Sequence, residues 1–182
     1  MITRYSTKEM SDIWSDQNKY QKWLDIEVAV CEAWAHYGFV PKKSLNNIKK
    51  KANFNVKKIN QIEKVVKHDV IAFTTNLAEY IGKDSRFIHL GLTSSDVLDT
   101  AFSLQIKESG NLILDEVNEF VKILTKLSRK YIETPIMGRS HGIHAEVTTF
   151  GLVVANWLDE AKRAKNRLIN SIKICSVGQF SG

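Results

Sequence analysis

The sequence predicts an all-α protein in two parts. A domain of short helices covers 1–92, and the first long helices of a central helical bundle cover 93–182. Three observations predict this. Apolar residues recur at helical spacing along nearly the whole chain. Two prolines and nine glycines in 182 residues are too few for a turn-rich β protein. An apolar stripe runs from Leu98 through Ala101, Leu104, Leu112, Phe120, Leu124 and Leu127 to Tyr131 without a proline. A continuous helix there would be roughly 60 Å long.

The elements follow in order. Ser6-Thr7-Lys8-Glu9 reads as a capping box that opens a short helix through Ile13 and Trp14. Tyr20, Leu24, Val28, Cys31 and Ala35 mark one face of the next helix, which stops at Gly38 and Pro41. Two basic helices follow, over Lys43 to Ala52 and Val56 to Lys67. Val70, Phe73, Thr74, Leu77 and Ile81 give another, ending at Gly82, and Lys83 to Leu92 reads as a loop. Thr93 or Ser94 caps the long pattern, with Asp96 completing a capping-box variant, and Gly110 is a candidate kink. After a polar connection, Phe150, Trp157, Ala161, Ala164 and Leu168 carry a last helix to about Ile174. Two long helices cannot bury wide apolar stripes alone. The stretch Val177 to Gly182 closes nothing, so the expectation is a truncated chain or a bundle completed by other subunits.

Composition narrows the function. No apolar run approaches the roughly 18 residues of a membrane span, and the start Met-Ile-Thr-Arg-Tyr lacks a signal-peptide core. Cys31 and Cys175 have no metal-ligand spacing and read as reduced thiols, with the cytoplasm as default compartment. The net charge of +6 draws on Lys49-Lys50-Lys51 and Lys57-Lys58. These lysines are either a solvated helix face or an anion-binding patch. No aromatics are interleaved with them, so they offer nucleic-acid bases no stacking platform.

Chemistry concentrates in Gly138-Arg139-Ser140-His141-Gly142-Ile143-His144-Ala145-Glu146-Val147-Thr148-Thr149-Phe150-Gly151. Two histidines, an arginine, a carboxylate and several hydroxyls sit between two helices, where a plain connection needs only a few polar residues. His141-x-x-His144 with Glu146 also admits a partial metal site. His68 lies between Lys67 and Asp69 at a helix junction, where a carboxylate can orient a histidine. His89 precedes Gly91 in a loop, and Thr93 and Ser94 open a helix whose free N–H groups suit an anion. His36, near a helix C-terminus, is explained by the helix dipole.

This stretch resembles the histidine motif of the adenylosuccinate lyases, in the aspartase/fumarase superfamily. Arg4-Tyr5-Ser6, Lys67-His68-Asp69-Val70-Ile71-Ala72-Phe73-Thr74 and His89-Leu90-Gly91-Leu92-Thr93-Ser94-Ser95-Asp96 resemble the same family in order and spacing. Gly142-Ile143-His144-Ala145-Glu146 after His141 is similar to the adenylosuccinate branch, where other members carry Leu-Gln. Two departures are visible: Val147 stands where proline is usual, loosening the turn into the next helix, and Ser140 where threonine is usual.

The resemblance implies an all-α lyase without cofactor or metal that eliminates fumarate from adenylosuccinate, giving AMP, and from the succinylated aminoimidazole carboxamide ribotide. It implies a homotetramer with sites shared between subunits, and no nucleic-acid or membrane partner. His141 becomes the general acid that protonates the departing nitrogen, and His68 a supporting ligand contact. Arg4 and Tyr5 bind nucleotide. Lys67, His68, Asp69, His89, Thr93 and Ser94 line the substrate site. The family's base is a serine in a Ser-Ser-x-Met-Pro-x-Lys-x-Asn segment, which is not found between Met1 and Gly182. Alternatives are another fumarate-releasing lyase, such as argininosuccinate lyase, and a non-enzymatic helical scaffold.

Overall fold

The computed structural model describes residues 2–181. A short 3₁₀ turn at Thr3–Tyr5 precedes α1 (Lys8–Ile13), α2 (Asp16–His36), α3 (Lys42–Lys51), α4 (Val56–Val66) and α5 (Asp69–Ile81). A 3₁₀ stretch, Gly82–Phe87, leads to α6 (Ser94–Lys130); β1 (Pro135–Ser140), β2 (Ile143–Thr149) and α7 (Phe150–Cys175) complete the order. The all-α expectation holds, and the long pattern begins at Ser94 as one unbroken helix through Gly110. The chain divides into two compact units. One runs to Ile106 and includes the tail from Ser176, and the other is Lys107–Cys175, so the division falls inside α6.

In the first unit an aromatic cluster organises the short helices. Phe73 of α5 stacks on Tyr20 of α2 at 5.7 Å and meets Trp23 edge-on at 5.4 Å. Phe54 joins from the α3–α4 connection, and Ile48, Ile59, Leu77 and Ile81 seal the same core. Helix starts are written in short polar side chains: Ser15 accepts from Asn18 N–H at 3.1 Å and Asn55 from Lys58 N–H at 3.0 Å. For α1 the cap is Thr7, accepting from Met10 N–H at 3.3 Å, while Ser6 bonds back to Ile2 O. The N-cap is therefore Thr7 and not Ser6, and Met10 at the third helical position cannot complete the expected capping box. The region expected as loop from Lys83 carries the 3₁₀ turns up to Phe87. The tail is also placed: Gln179 N–H donates to Thr100 Oγ1 at 2.9 Å, and Ser181 donates N–H and Oγ–H to Asp96 Oδ1.

In the second unit the connection read as a loop is a β-hairpin. β1 and β2 pair antiparallel, with Met137 opposite Val147, Arg139 opposite His144 and Ser140 opposite Ile143. The reversal is made by His141 (φ 52) and Gly142 (φ 79). Positive φ at both central residues is the type I′ pattern, whose twist matches paired strands. Val147 lies within β2, three residues before α7, so the departure from proline falls in a strand and not in the turn into the helix. Gly110 and Gly151 are packing glycines. A Cβ on Gly110 would stand 2.5 Å from Ile172 Cγ1, which explains that glycine by contact and not by a kink. A Cβ on Gly151 would stand 2.6 Å from Ile132 Cα and Ser128 O, where the end of α6 and the start of α7 touch. Backbone cannot step aside as a side-chain tip can. Gly151→Ala is therefore expected to destabilise this unit by about 1–3 kcal/mol. A thermal melt by circular dichroism would show the midpoint falling by several degrees; an unchanged melt would contradict the close approach.

Candidate functional site

The turn that carries His89 is built by one stripe of α2. Glu27, Cys31 and Trp34 stand at i, i+4 and i+7, one face of the helix. Cys31 Sγ–H donates to Phe87 O at 3.2 Å, and Trp34 Nε1–H to Leu90 O at 2.7 Å. Between them the Glu27 carboxylate takes His89 N–H on Oε2 at 2.7 Å and meets His89 Nδ1 with Oε1 at 2.6 Å. Gly91 completes the turn at φ +70, where a Cβ would lie 3.0 Å from the Trp34 ring. His89 itself is held at φ 62. A left-handed conformation costs a non-glycine residue roughly 1–2 kcal/mol, so the surrounding bonds must hold it there. The Glu27 side chain is 0% exposed and that of His89 is 26% exposed. The hydrogen bond to Glu27 lifts the His89 pKa above its ordinary value; burial opposes this, and the charges of Glu27 and Asp96 add to it. Burial pushes the Cys31 thiol up to about 11, with Glu27 and Glu32 adding to it, so this cysteine is structural and not a nucleophile.

Asp96, itself buried, organises the start of α6. Its Oδ2 accepts from Thr93 N–H at 2.9 Å, and its own N–H donates to Thr93 O at 3.0 Å. This is the capping-box variant read from the sequence. The exposed Thr93 and half-buried Ser94 sit at that N-terminus.

His68 caps α5. Its Nδ1 accepts from Ile71 N–H at 3.4 Å and also lies 3.4 Å from Asp69 Oδ1. The two contacts need different protonation of one nitrogen: the cap needs a bare Nδ1, the ion pair a protonated one. Lys67 ends α4 in a left-handed C-cap (φ 56, ψ 31) and turns the chain so that Lys67, His68 and Asp69 stand together at the junction. Both Lys67 and His68 are exposed. Arg4 and Tyr5 form a stacked pair in the first 3₁₀ turn, with the guanidinium 4.8 Å from the ring centroid.

In the second unit His141 occupies the hairpin apex, exposed, with Arg139 and His144 on paired strand positions behind it. Among the described residues no three potential metal ligands come together. The non-glycine residues held at positive φ among those described are Lys67, His89 and His141. All three were singled out from sequence, although helix termination accounts for Lys67. The structure brings Glu27 and Asp96 to His89 within the first unit, and the sequence reading missed Glu27. Its one signal was a carboxylate beside Val28 on a helix face otherwise read as apolar.

A family model described as Lyase matches residues 3–182. Among curated proteins the chain is similar to adenylosuccinate lyases of Synechocystis sp. (48% identity), Aquifex aeolicus (46%) and Bacillus subtilis (43%). Each match covers 100% of this chain and 42% of the relative, so the chain spans less than half of their length. Among solved structures it is similar to a fumarate lyase from Mesorhizobium sp. BNC1, with TM-score 0.91 and 28% identity over 97% of this chain and 43% of that one. It is also similar to a 3-carboxy-cis,cis-muconate lactonizing enzyme from Pseudomonas putida, with TM-score 0.89 and 28% identity over 99% of this chain and 43% of that one. With the long α6 and α7, the His68 and His89 turns and the His141 hairpin all inside the matched span, the chain belongs to this lyase family.

Proposed function

We propose that this chain is the N-terminal portion of an adenylosuccinate lyase, which releases fumarate from adenylosuccinate and from the succinylated aminoimidazole carboxamide ribotide of purine synthesis. The observation that carries this reading is identity of 43–48% to adenylosuccinate lyases across the whole chain. The elimination removes a proton from the carbon beside a carboxylate and breaks the neighbouring C–N bond, and the departing nitrogen takes a proton. His141 is the general acid for that last transfer: an imidazolium can give up a proton to the departing nitrogen, and the hairpin apex leaves the side chain exposed. His68, with Lys67 and Asp69, contacts substrate and supports His141. His89, Thr93 and Ser94 receive its anionic groups. A His89 whose pKa is raised by Glu27 and the N-terminus of α6 suit phosphate or carboxylate. Arg4 takes phosphate while Tyr5 lies against the nucleoside. Residues 1–92 form the N-terminal domain, and 93–182 begin a bundle completed in a cytoplasmic homotetramer with sites shared between subunits.

Spectrophotometric assay of the full-length protein on both substrates tests the activity; turnover of neither would end this reading. The Arg4 assignment has its own test. Arg4→Ala is expected to weaken AMP binding in calorimetry by about tenfold or more while leaving fumarate nearly unchanged, since a charge-assisted hydrogen bond contributes roughly 1.5–3 kcal/mol. Equal AMP affinity would make Arg4 ordinary surface.

A further inference from the structure

A carboxylate inside an apolar core is costly unless every oxygen has a donor. Glu27 sits on α2 in that position, with Tyr20, Trp23, Leu24 and Cys31 of the same helix also buried. Both of its oxygens are used, and both are used by one residue: the backbone N–H and the imidazole Nδ1 of His89, at 2.7 and 2.6 Å. A carboxylate placed only for stability could be replaced by an apolar side chain of similar size. This one instead fixes the main chain and the ring of a single exposed-side histidine across 62 residues of sequence.

The double contact has a chemical consequence. With Glu27 ionised its oxygens only accept, and Nδ1 then carries the proton. The ring is then either the Nδ1–H tautomer or the cation, and Nε2 is the nitrogen left to meet a ligand. Glu27, facing the ring from α2, and Asp96, from the start of α6, both favour the cation. In the cation Nε2–H is a donor suited to an anion. The backbone bond supports the left-handed φ of 62 at His89. Cys31 and Trp34 fix the turn on either side, at Phe87 and Leu90, so the ring has little freedom to leave the carboxylate.

We propose that Glu27 is the positioning residue for His89: its buried carboxylate locks the backbone and Nδ1–H of that histidine, so that Nε2 is presented to the anionic part of the substrate. This rests on the reading of His89 as a substrate-site residue. Glu27 acts through His89 and does not itself reach substrate.

The test is a double-mutant cycle in the full-length enzyme, with folding checked by circular dichroism. Glu27→Gln keeps the shape and removes the charge. It is expected to lower kcat/KM by roughly tenfold or more, the scale of lost supporting shells. In a His89→Ala background the same change is expected to cost less than about twofold, because the partner it acts through is gone. Glu27→Asp, which keeps the charge on a shorter arm, should recover part of the loss. If His89→Ala impairs the enzyme but Glu27→Gln is silent or fully additive, the proposal fails while the reading of His89 stands. If His89→Ala is itself silent, both fall. Should Glu27→Gln not fold, ¹⁵N spectra of the unsubstituted, histidine-labelled protein decide: a protonated Nδ1 on His89 through neutral pH supports the lock, and a bare Nδ1 overturns it.

Discussion

His141→Gln in the full-length enzyme is expected to lower turnover by roughly 10²–10⁴-fold, the range for loss of a positioned general acid. The thermal midpoint should barely move. The reason is the place of the residue. His141 is exposed at the apex of the hairpin, and the turn is set by backbone conformation at His141 and Gly142 more than by side-chain packing. Glutamine keeps a hydrogen-bonding group of similar reach but cannot deliver a proton near neutral pH. A full-rate variant would remove His141 from the mechanism. His68→Ala is also expected to be severe, yet it removes the N-cap of α5, a loss of about 0.5–2 kcal/mol. His68→Asn separates the two effects, since it restores a cap and not an imidazole. His36→Ala, at the exposed end of α2, should be close to neutral. Equal sensitivity at His141, His68 and His36 would report stability and not catalysis.

What the sequence made legible was periodic. α2 to α7 announce themselves by apolar spacing, three of them with Ser15, Asn55 or Thr149 accepting at their starts, and α3 to α7 each begin within two residues of the expected place. The hairpin was obscured by its own chemistry. Ile143, Ala145 and Val147 alternate as a strand should, but His141, His144, Glu146 and the glycines dominate the stretch and read as a functional loop. A type I′ turn usually announces itself with Asn-Gly or Asp-Gly; here it is His141-Gly142. Glu27 was illegible for a different reason. Helical periodicity ranks a carboxylate as solvent-facing, and only the three-dimensional neighbour, 62 residues on, accounts for its burial. The docking of Ser181 on Asp96 has the same character, since neither residue signals the other along the chain. His68, His89 and His141 were found because motif spacing drew attention to them. That two of the three carry left-handed backbone required coordinates.

The 182-residue chain on its own is expected to release no fumarate. The proposed general acid and anion-binding groups lie in this chain, but elimination also needs a base at the C–H bond. The family resemblance puts that base in a serine segment whose Met-Pro step has no counterpart here: Pro41 follows Val40 and Pro135 follows Thr134. Without it the proton removal is unassisted, and general-base assistance is commonly worth 10²–10⁴-fold. The second unit meanwhile leaves Phe120, Ile123, Leu152 and Trp157 exposed on its long helices. Exposed large apolar side chains of this kind favour association over a dispersed monomer. Supplying the remaining length of the relatives, in cis or as a separate chain, should cover these faces and restore turnover together. Light scattering and a fumarate absorbance assay on the same samples would check both halves. Robust turnover by the purified 182-residue chain alone would refute this account and send the search for the base back to residues already present, beginning with His144 and Glu146 on the hairpin.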